Sequence, residues 1–537
     1  MRPSPASDHA PHIDTEKGCT VTNVITSPWP SPTVPDTSLP GFVMRDWTGR
    51  GDKPALVDAS GGRTVSYADL AFHVSAVAAG LSRHGLRAGE VFALCCPNSP
   101  DFAIAYYAVL RAGGTVTTLS PHVAEAEAAT QLADSRARWA LTTPDVAPML
   151  ARAGGGSLRE LFVGGGAMPA SEPTSMACQA RPEDPAVVLY SSGTTGLPKG
   201  VVLTHRNLVA GLCCLRAPEP VAADDVVLAV LPLSHIAGME VVLNHALASG
   251  ATVVTLPRFD VEAFLAAIER YRVTRMVVAP PIVLALAKHP LVESYDLSSL
   301  RVVASGAAPL GPDVARAAAR RVGCRVKQGY GMTECVAVCM APDDGPDKPE
   351  SIGPPMPGVD CRVVDWVTGA EVRHGDAGEL LVRSPARMRG YLRNNEATAA
   401  AVDPDGWLHT GDIVRVDADG WLRVVDRVKE LIKYKGHQVA PAELEAVLLA
   451  HPAVADAAVV GCPDEEAGEL PKALVVLRRP VEPAALLDFV AERVTPYKKI
   501  RRLEMVDEIP KSPSGKILRR VLAERERASA YAGSVRN

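Results

Sequence analysis

Two hydrophobic rhythms divide this chain, and the change between them falls near Cys324. From about residue 46 to 122, short β-branched runs alternate with longer segments of helical period: 64–67, then 68–84, then Val91–Cys95, then 103–112. The alternation returns between 186 and 322, where 251–256 gives way to Val261–Tyr271, 276–279 to 282–288, and 301–304 to 313–321. Short apolar runs, each followed by a stretch with one apolar face, predict strands and covering helices in turn. That order gives an α/β fold: a large N-terminal domain of doubly wound α/β layers with largely parallel sheets. After Cys324 short strands and Gly/Asp turns take over, at Gly378–Arg383 and at the DGW turns 405–407 and 419–421, and predict a small β subdomain. A basic, polar segment follows at 426–436. Beyond it lies a small α+β pattern: a helix at Pro441–Ala450, a strand at 455–460 and a helix at 483–494. The chain thus divides into a disordered leader (1–40) rich in Pro, Ser and Thr, an N-terminal domain (41–426) and a small C-terminal domain (427–537) after a hinge.

The apolar run at 186–190 ends abruptly in hydroxyls and glycines, within LYSSGTTGLPKGV (189–201). Gly193 and Gly196 allow a tight backbone path that aims several N–H groups at one anion. Ser191, Ser192, Thr194 and Thr195 add hydroxyl donors, and Lys199 adds a compact, mobile charge. The combination suits a polyphosphate; the competing reading is a polar surface loop after a strand. It is not the P-loop of the common NTPases, because Lys199 follows Pro198 where that motif demands glycine.

Three further clusters carry candidate chemistry. QGYGMTE (328–334) is weak as a dinucleotide fingerprint, since its sixth position is Glu and no acid follows at the required spacing. Beside a triphosphate loop, Thr333 would hold a phosphate oxygen, Glu334 a Mg²⁺ ion, and Tyr330 would cover a base; the alternative is a glycine turn at a strand end. WLHTGD (407–412) puts Asp412 in a glycine turn, where it either accepts from a ribose diol or stabilises the turn, and Arg427 can join it. PKSPSGK (510–516) precedes an amphipathic segment, with Ser514 as N-cap and Lys516 in the first turn. A lysine there opposes the helix dipole, so capping does not account for it; a mobile loop delivering charge to a phosphoester does.

Composition narrows the class. At 537 residues the chain exceeds a single core, and 47% hydrophobic with 22% charged residues is ordinary for a globular protein. A net charge of −5 gives no sign of a nucleic-acid surface. Eleven scattered cysteines without any C-x-x-C point to reduced thiols in a cytoplasm; Cys335 and Cys339 read as packing residues. No apolar run reaches the length of a membrane span. Arginine outnumbers lysine and alanine is abundant, which suggests a high-GC bacterial source.

These blocks stand in the order and spacing of the adenylate-forming superfamily of acyl-CoA synthetases, adenylation domains and beetle luciferases. The chain resembles bacterial 4-coumarate–CoA ligase-like enzymes most. The likeness runs from about Leu39 to Leu522 and is densest at APPIVLALAKHP (279–290) and VDRVKELIKYKGHQVAPAELE (425–445). The resemblance implies that 41–426 is an AMP-binding adenylation domain and that the C-terminal domain is mobile. It implies a two-step reaction: a carboxylate attacks the α-phosphate of MgATP to give acyl-AMP and pyrophosphate, and the thiol of coenzyme A then displaces AMP. ATP, Mg²⁺, CoA and a carboxylic acid are the implied ligands, with neither nucleic acid nor membrane as partner.

By the same resemblance, Ser191, Ser192, Gly193, Thr194, Thr195, Gly196 and Lys199 bind the β- and γ-phosphates. Thr333 contacts the α-phosphate and Glu334 the metal, while Gln328, Gly329 and Tyr330 flank the adenine. Asp412 and Arg427 hold the ribose, Lys516 bridges carboxylate and α-phosphate, and His235 joins Lys516, Thr333 and Glu334 as a catalytic group. Lys429, Lys433 and Gln438 belong to the adenylate set, and Arg258, Lys435 and Gly436 to CoA. Rotation of the small domain between half-reactions would exchange the Lys516 loop for the face around 433–438.

The chain departs from the plant enzymes in PLSHIAGMEV (232–241), where Ala237 and Val241 replace a tyrosine and a serine that contact the aromatic acid. If the segment is helical, Ala237, Glu240 and Val241 share one face, and Glu240 either meets an amino or hydroxyl substituent or is a solvated helix residue. Ala307, Gly331, Ala337 and Val338 match other positions of the acid pocket, and their small size admits a flat aromatic or unsaturated acid. The expected acid is aryl, cinnamic-type or medium apolar. An amine or carrier-protein acceptor is the close alternative. Diazotisation of an aminoaryl acid with nitrite is a third, and a catalytically silent scaffold is disfavoured by the intact Lys199, Glu334, Asp412 and Lys516.

Overall fold

The computed structural model describes residues 24–172, 180–191, 198–435, 437–464, 466–512 and 515–534. Two large sheets form the N-terminal body. The seven-stranded sheet has a parallel interior built from Thr115–Thr118, Val91–Cys95, Trp139–Thr142 and Glu160–Val163, joined by Pro185–Ser191. Lys199–Thr204 and then Gly390–Tyr391 continue it as antiparallel strands. The eight-stranded sheet likewise runs parallel from Pro54–Asp58 to Arg325–Met332, with antiparallel strands Thr64–Ser66 and Cys335–Met340 at its edges. Parallel strands need cover on both faces, and the helix Pro100–Arg111 supplies it between the layers, buried along most of its length. Its Tyr107 meets the edge of Trp47 at 5.1 Å and 89°, an arrangement the aromatic quadrupole favours.

Local chemistry sets the helix ends. The Ser66 hydroxyl accepts from Asp69 N–H to open Tyr67–His84, and Gly85, at φ 106°, closes it in the left-handed region. Asp260 caps Val261–Tyr271 in the same way.

A third, five-stranded sheet holds Asp360–Val364, Gly378–Arg383, Leu408–Val416 and Leu422–Arg427, with Ile25–Thr26 at its edge. That last strand corrects the expected leader. Ile25 and Thr26 pair with Cys361 and Asp360, and Leu39–Val43 is a helix that packs Leu39 and Phe42 into the main core. Apolar residues that find a sheet edge and a core are ordered by it, whatever the Pro/Ser/Thr content between them. Residues 1–23 lie outside the described ones.

The C-terminal segment builds its own sheet from Ile432–Tyr434, His437–Val439, Val454–Asp464, Gly468–Leu477 and Arg502–Met505. Its core of Ile432, Leu444, Leu448, Val459, Val475 and Leu486 is separate from the others. Polar bonds tie it to the body: Lys288 Nζ donates to the Leu449 carbonyl at 2.9 Å, and Ala442 N–H to Asp426 Oδ2 at 3.1 Å. Among the described residues no helix is long and apolar enough to cross a membrane.

A four-charge cluster, buried except for the half-buried Asp343, fixes the strands under the site. Lys327 Nζ lies 2.6 Å from both Glu219 and Asp343, and Arg275 reaches the same two carboxylates at 2.7 and 2.8 Å. Burial alone would raise the Glu219 carboxyl, but Lys327 and Arg275 hold it down at about 2.

Candidate active site

The expected phosphate segment is the mouth of a hairpin. Ser191 and Lys199 are register partners in the antiparallel pair Pro185–Ser191 and Lys199–Thr204, so the loop between them springs from two fixed rails. Ser191 stands at the carboxyl end of a strand that runs parallel to Thr115–Thr118, where open α/β sheets place ligands. Ser192, Gly193, Thr194, Thr195 and Gly196 lie outside the described residues.

Glu334 anchors the opposite side. Arg325–Met332 and Cys335–Met340 are antiparallel strands, and Thr333 and Glu334 form the turn between them. The QGYGM stretch, for which a glycine turn at a strand end was the alternative reading, is therefore strand itself. Glu334 is buried, and its Oε1 accepts from Ser191 Oγ and from Tyr391 OH, both at 3.0 Å. The Tyr391 ring also sits 5.0 Å beneath Lys199 Nζ, within cation–π range. Tyr391 is absent from the sequence reading. Only the pairing of Gly390–Tyr391 with Val202 and Val201 brings it here, and a tyrosine in a turn-rich segment carries no local sign of that.

Tyr330 joins the second cluster. Its hydroxyl donates to Asp412 Oδ2, while Arg427 Nε donates to Asp412 Oδ1 at 2.8 Å. Asp412 and Arg427 are also register partners between Leu408–Val416 and Leu422–Arg427. Gln328 is used differently: its buried amide ties down Leu310 N–H and the carbonyls of Leu310 and Pro349, so it braces the wall and is not free to meet a base. Gly329 packs tightly, since a Cβ there would lie 2.6 Å from Met340 Sδ.

Lys516 comes to the same place from the C-terminal segment. Burial and the Arg427 guanidinium push its ammonium down to about 8, against the opposing pull of Glu430 and Asp412. The helix expected to have Ser514 as N-cap and Lys516 in its first turn starts at Arg519. Lys516 lies instead on a tight turn closed by a bridge between Lys511 and Ile517, with Gly515 at φ 81°. A Cβ on Gly515 would stand 3.0 Å from Ala279 Cβ, so the turn rests directly on the N-terminal body. Ser514 lies outside the described residues. Arg519 braces the approach, ion-paired with Glu430 at 2.6 Å and with Glu445.

The other residues expected in the adenylate and CoA sets lie elsewhere on the small domain, apart from Arg258. Lys433 and Gln438 are exposed partners on one hairpin. Lys429 is exposed, and Lys435 pairs with Glu466 at 2.5 Å; Gly436 is outside the described residues. Arg258 edges a cleft of about 490 Å³ that extends past Asn98, Ser120 and His122 to Pro232 and Ser234, beside His235. His235 Nε2 is buried without a hydrogen-bond partner, and burial lowers the ring's pKa below 6.5, which leaves it neutral at pH 7.

The residues expected in the acid pocket divide. Ala237–Asn244 is a π-helix, with His245 N–H donating to the Glu240 carbonyl five residues back. The wider turn separates the three residues expected on one face: Ala237 and Val241 are half-buried, and Glu240 is fully buried. Ala337 and Val338 are buried in the adjoining strand, Gly331 is exposed, and Ala307 is exposed at φ 68°.

The sequence pattern of the AMP-binding enzymes matches residues 43–392, and that of the AMP-binding enzyme C-terminal domain matches 443–516. The chain is 41% identical over 494 residues to a 4-coumarate–CoA ligase of Pinus taeda, spanning 88% of this chain and 92% of that one. Among solved structures it superposes on the anthranilate CoA ligase AuaEII in complex with anthranoyl-AMP with a TM-score of 0.86, at 28% identity over 92% of this chain and 98% of that one. The amide bond synthetase McbA from Marinactinospora thermotolerans gives a TM-score of 0.82 at 32% identity, over 91% and 99% of the two chains.

Proposed function

This chain belongs to the AMP-binding enzymes, the adenylate-forming acid–CoA ligases, and from that premise we propose that it activates an aryl or cinnamic-type acid as its adenylate and passes the acyl group to coenzyme A. The observation that carries the reading is the meeting of Lys516 with Arg427 and Asp412, beside the strand that leads from Tyr330 to Glu334. An attack on the α-phosphate gathers negative charge at one phosphorus, so catalysis rests on position and fixed positive charge. Ser191 and Lys199 would orient the terminal phosphates, Thr333 the α-phosphate, and Asp412 with Arg427 the ribose. Lys516 would hold the attacking carboxylate against the phosphorus, and neutral His235 would line the carboxylate's entry.

Glu334 fits a magnesium ion, because it offers a hard, buried carboxylate beside the phosphate loop, and such ions take one or two carboxylates plus substrate phosphates. The ion would neutralise phosphate charge there. The cleft from Arg258 to Ser234 suits the long, flexible thiol arm of coenzyme A. Lys433, Lys435 and Gln438, away from the Lys516 turn, would serve the second step after the small domain rotates. The chain's cysteines among the described residues are free thiols, which supports a reducing cytoplasm.

The likeness to an amide bond synthetase supports a second acceptor, an amine, for the same adenylate. Purified protein with MgATP and a panel of aryl, cinnamic and fatty acids, with and without CoA, decides between them. Acyl-CoA detected by mass spectrometry supports the ligase. Acyl-AMP that persists despite CoA overturns the thiol acceptor, and absence of pyrophosphate release with every acid overturns the adenylation.

A further inference from the structure

The two oxygens of the Glu240 carboxyl have different surroundings. Oε2 accepts from Asn244 Nδ2 at 2.6 Å, and Asn244 is itself held by Tyr107 OH at 2.6 Å and by Tyr106 OH at 3.3 Å. Oε1 is shielded from solvent and has no hydrogen-bond partner. Leaving a buried carboxyl oxygen unsatisfied is unfavourable. Burial pushes this carboxyl up to about 8, opposed only by the Asn244 bond.

Oε1 is aimed at a place where a side chain is missing. Gly211 lies inside the helix His205–Leu215, and a Cβ built on it would stand 3.3 Å from Oε1 and 3.8 Å from the Cβ atoms of Val336 and Ala386. A glycine in a helix interior is less favourable than alanine, and here a side chain would press on Oε1. The nook adjoins the reaction centre, because the Val336 carbonyl lies 2.1 Å from where a Gly331 Cβ would be, and the same turn carries Thr333 and Glu334. The three atoms nearest the Gly211 Cβ position are Glu240 Oε1 and the Cβ atoms of Ala386 and Val336, so Oε1 is the polar atom that a donor there meets first.

We propose that Glu240 Oε1 is the specificity contact of the acid pocket and accepts a hydrogen bond from a primary amino group on the acid, remote from its carboxylate, so that the enzyme selects amino-substituted aromatic acids. The inference rests on the adenylation reading above. An aryl amine is neutral at pH 7 and enters an apolar nook without shedding the hydration of a charge. It offers an N–H donor to Oε1 and, where the carboxyl keeps its proton, a nitrogen lone pair to accept from it. A site whose buried polar group needs such a donor discriminates strongly against an analogue that lacks it.

The test compares cinnamate, its hydroxy derivatives and its amino derivatives as matched series on the full-length enzyme, following pyrophosphate release with MgATP. Expected is a kcat/KM at least about 100-fold higher for the best amino acid than for cinnamate. In Glu240→Leu the ratio falls to within about threefold. Gly211→Ala, which favours the helix and fills the nook, lowers turnover of the amino acid and spares cinnamate. Equal or better use of the unsubstituted or hydroxy acids by the wild type overturns the proposal, as does a ratio unmoved in both variants. Calorimetric binding of the amino acids without ATP separates the two readings: tight binding lost in Glu240→Leu supports the contact even if no acid releases pyrophosphate. Failure to bind any amino acid, with cinnamate turned over normally, refutes the contact alone.

Discussion

Arg427 and Asp412 are partners twice, once as opposed residues of an antiparallel ladder and once through the 2.8 Å bond from Nε to Oδ1. The pair sits on the N-terminal body, and the Lys516 turn is delivered to it by the small domain. The cationic centre is therefore assembled from two halves, one on each domain. Lys516→Ala should lower the acid-dependent exchange of pyrophosphate into ATP by on the order of 10²–10³. Thioester formation from preformed acyl-AMP should be affected far less, and comparing the two half-reactions checks it.

The same lysine gives a pH signature. Its ammonium is displaced below the ordinary 10.5 to about 8, so it is charged below that pH and neutral above it. Because the charged form is the useful one, kcat/KM for ATP should fall above about pH 8, up to tenfold per unit. Lys516→Arg should retain part of the activity and lose this alkaline limb, since guanidinium stays charged throughout. A pH–rate profile of both proteins tests the assignment.

Tyr391 serves Glu334 through its hydroxyl and Lys199 through its ring. Tyr391→Phe removes the first contact and keeps the second. Hydrogen bonds to charged groups contribute roughly 1.5–3 kcal/mol, so KM for MgATP should rise by about tenfold or more. Tyr391→Ala should do worse, and steady-state kinetics at saturating acid separates them.

Glu240 gives a stability signature as well. Its folded pKa of about 8 lies above the ordinary 4.5, so between those values the unfolded chain ionises while the native one keeps its proton. Native stability is then intact below about pH 4.5 and is lost progressively as pH rises towards 8, by up to about 1.4 kcal/mol per unit. Asp426 and Glu445 are also raised, to about 6 and 7, so the effect is read as a difference. Glu240→Gln should gain stability over the wild type steadily from pH 5 to 8 in thermal unfolding.

The cluster around Glu219 should be far less forgiving. Lys327→Met leaves the buried Glu219 and the half-buried Asp343 sharing one arginine and should destabilise the protein by about 3–5 kcal/mol. Denaturant unfolding at pH 7 measures it.

How much of this was legible in the sequence depended on whether local signals agreed with tertiary ones. Val91–Cys95, Val261–Tyr271 and Pro441–Ala450 read to the residue because period and punctuation coincide; Asp260 caps one helix and Pro441 opens another. Lys199–Thr204 was missed as a strand because only its pairing with Pro185–Ser191 makes it one. Gly329 and Gly331, for which a turn was the alternative reading, lie in a strand, where close packing against Met340 and Val336 requires glycine. Lys516 was identified by motif, but its setting was not, because the hairpin bridge outcompetes a first helical turn. The burial of Glu240 follows from a π turn that a regular helical period does not encode.

The small domain's separate core has a thermodynamic consequence. Among the described residues no buried apolar cluster spans it and the N-terminal body; hydrogen bonds such as Lys288 to Leu449 hold the two together. Heat-capacity changes follow the exposure of apolar surface. A reorientation that breaks polar fastenings and bares little hydrocarbon is nearly silent in calorimetry and alters its cost only weakly with temperature. The alternation between the two chemical steps would then keep its balance over a range of temperatures in which the stability of the cores themselves changes considerably.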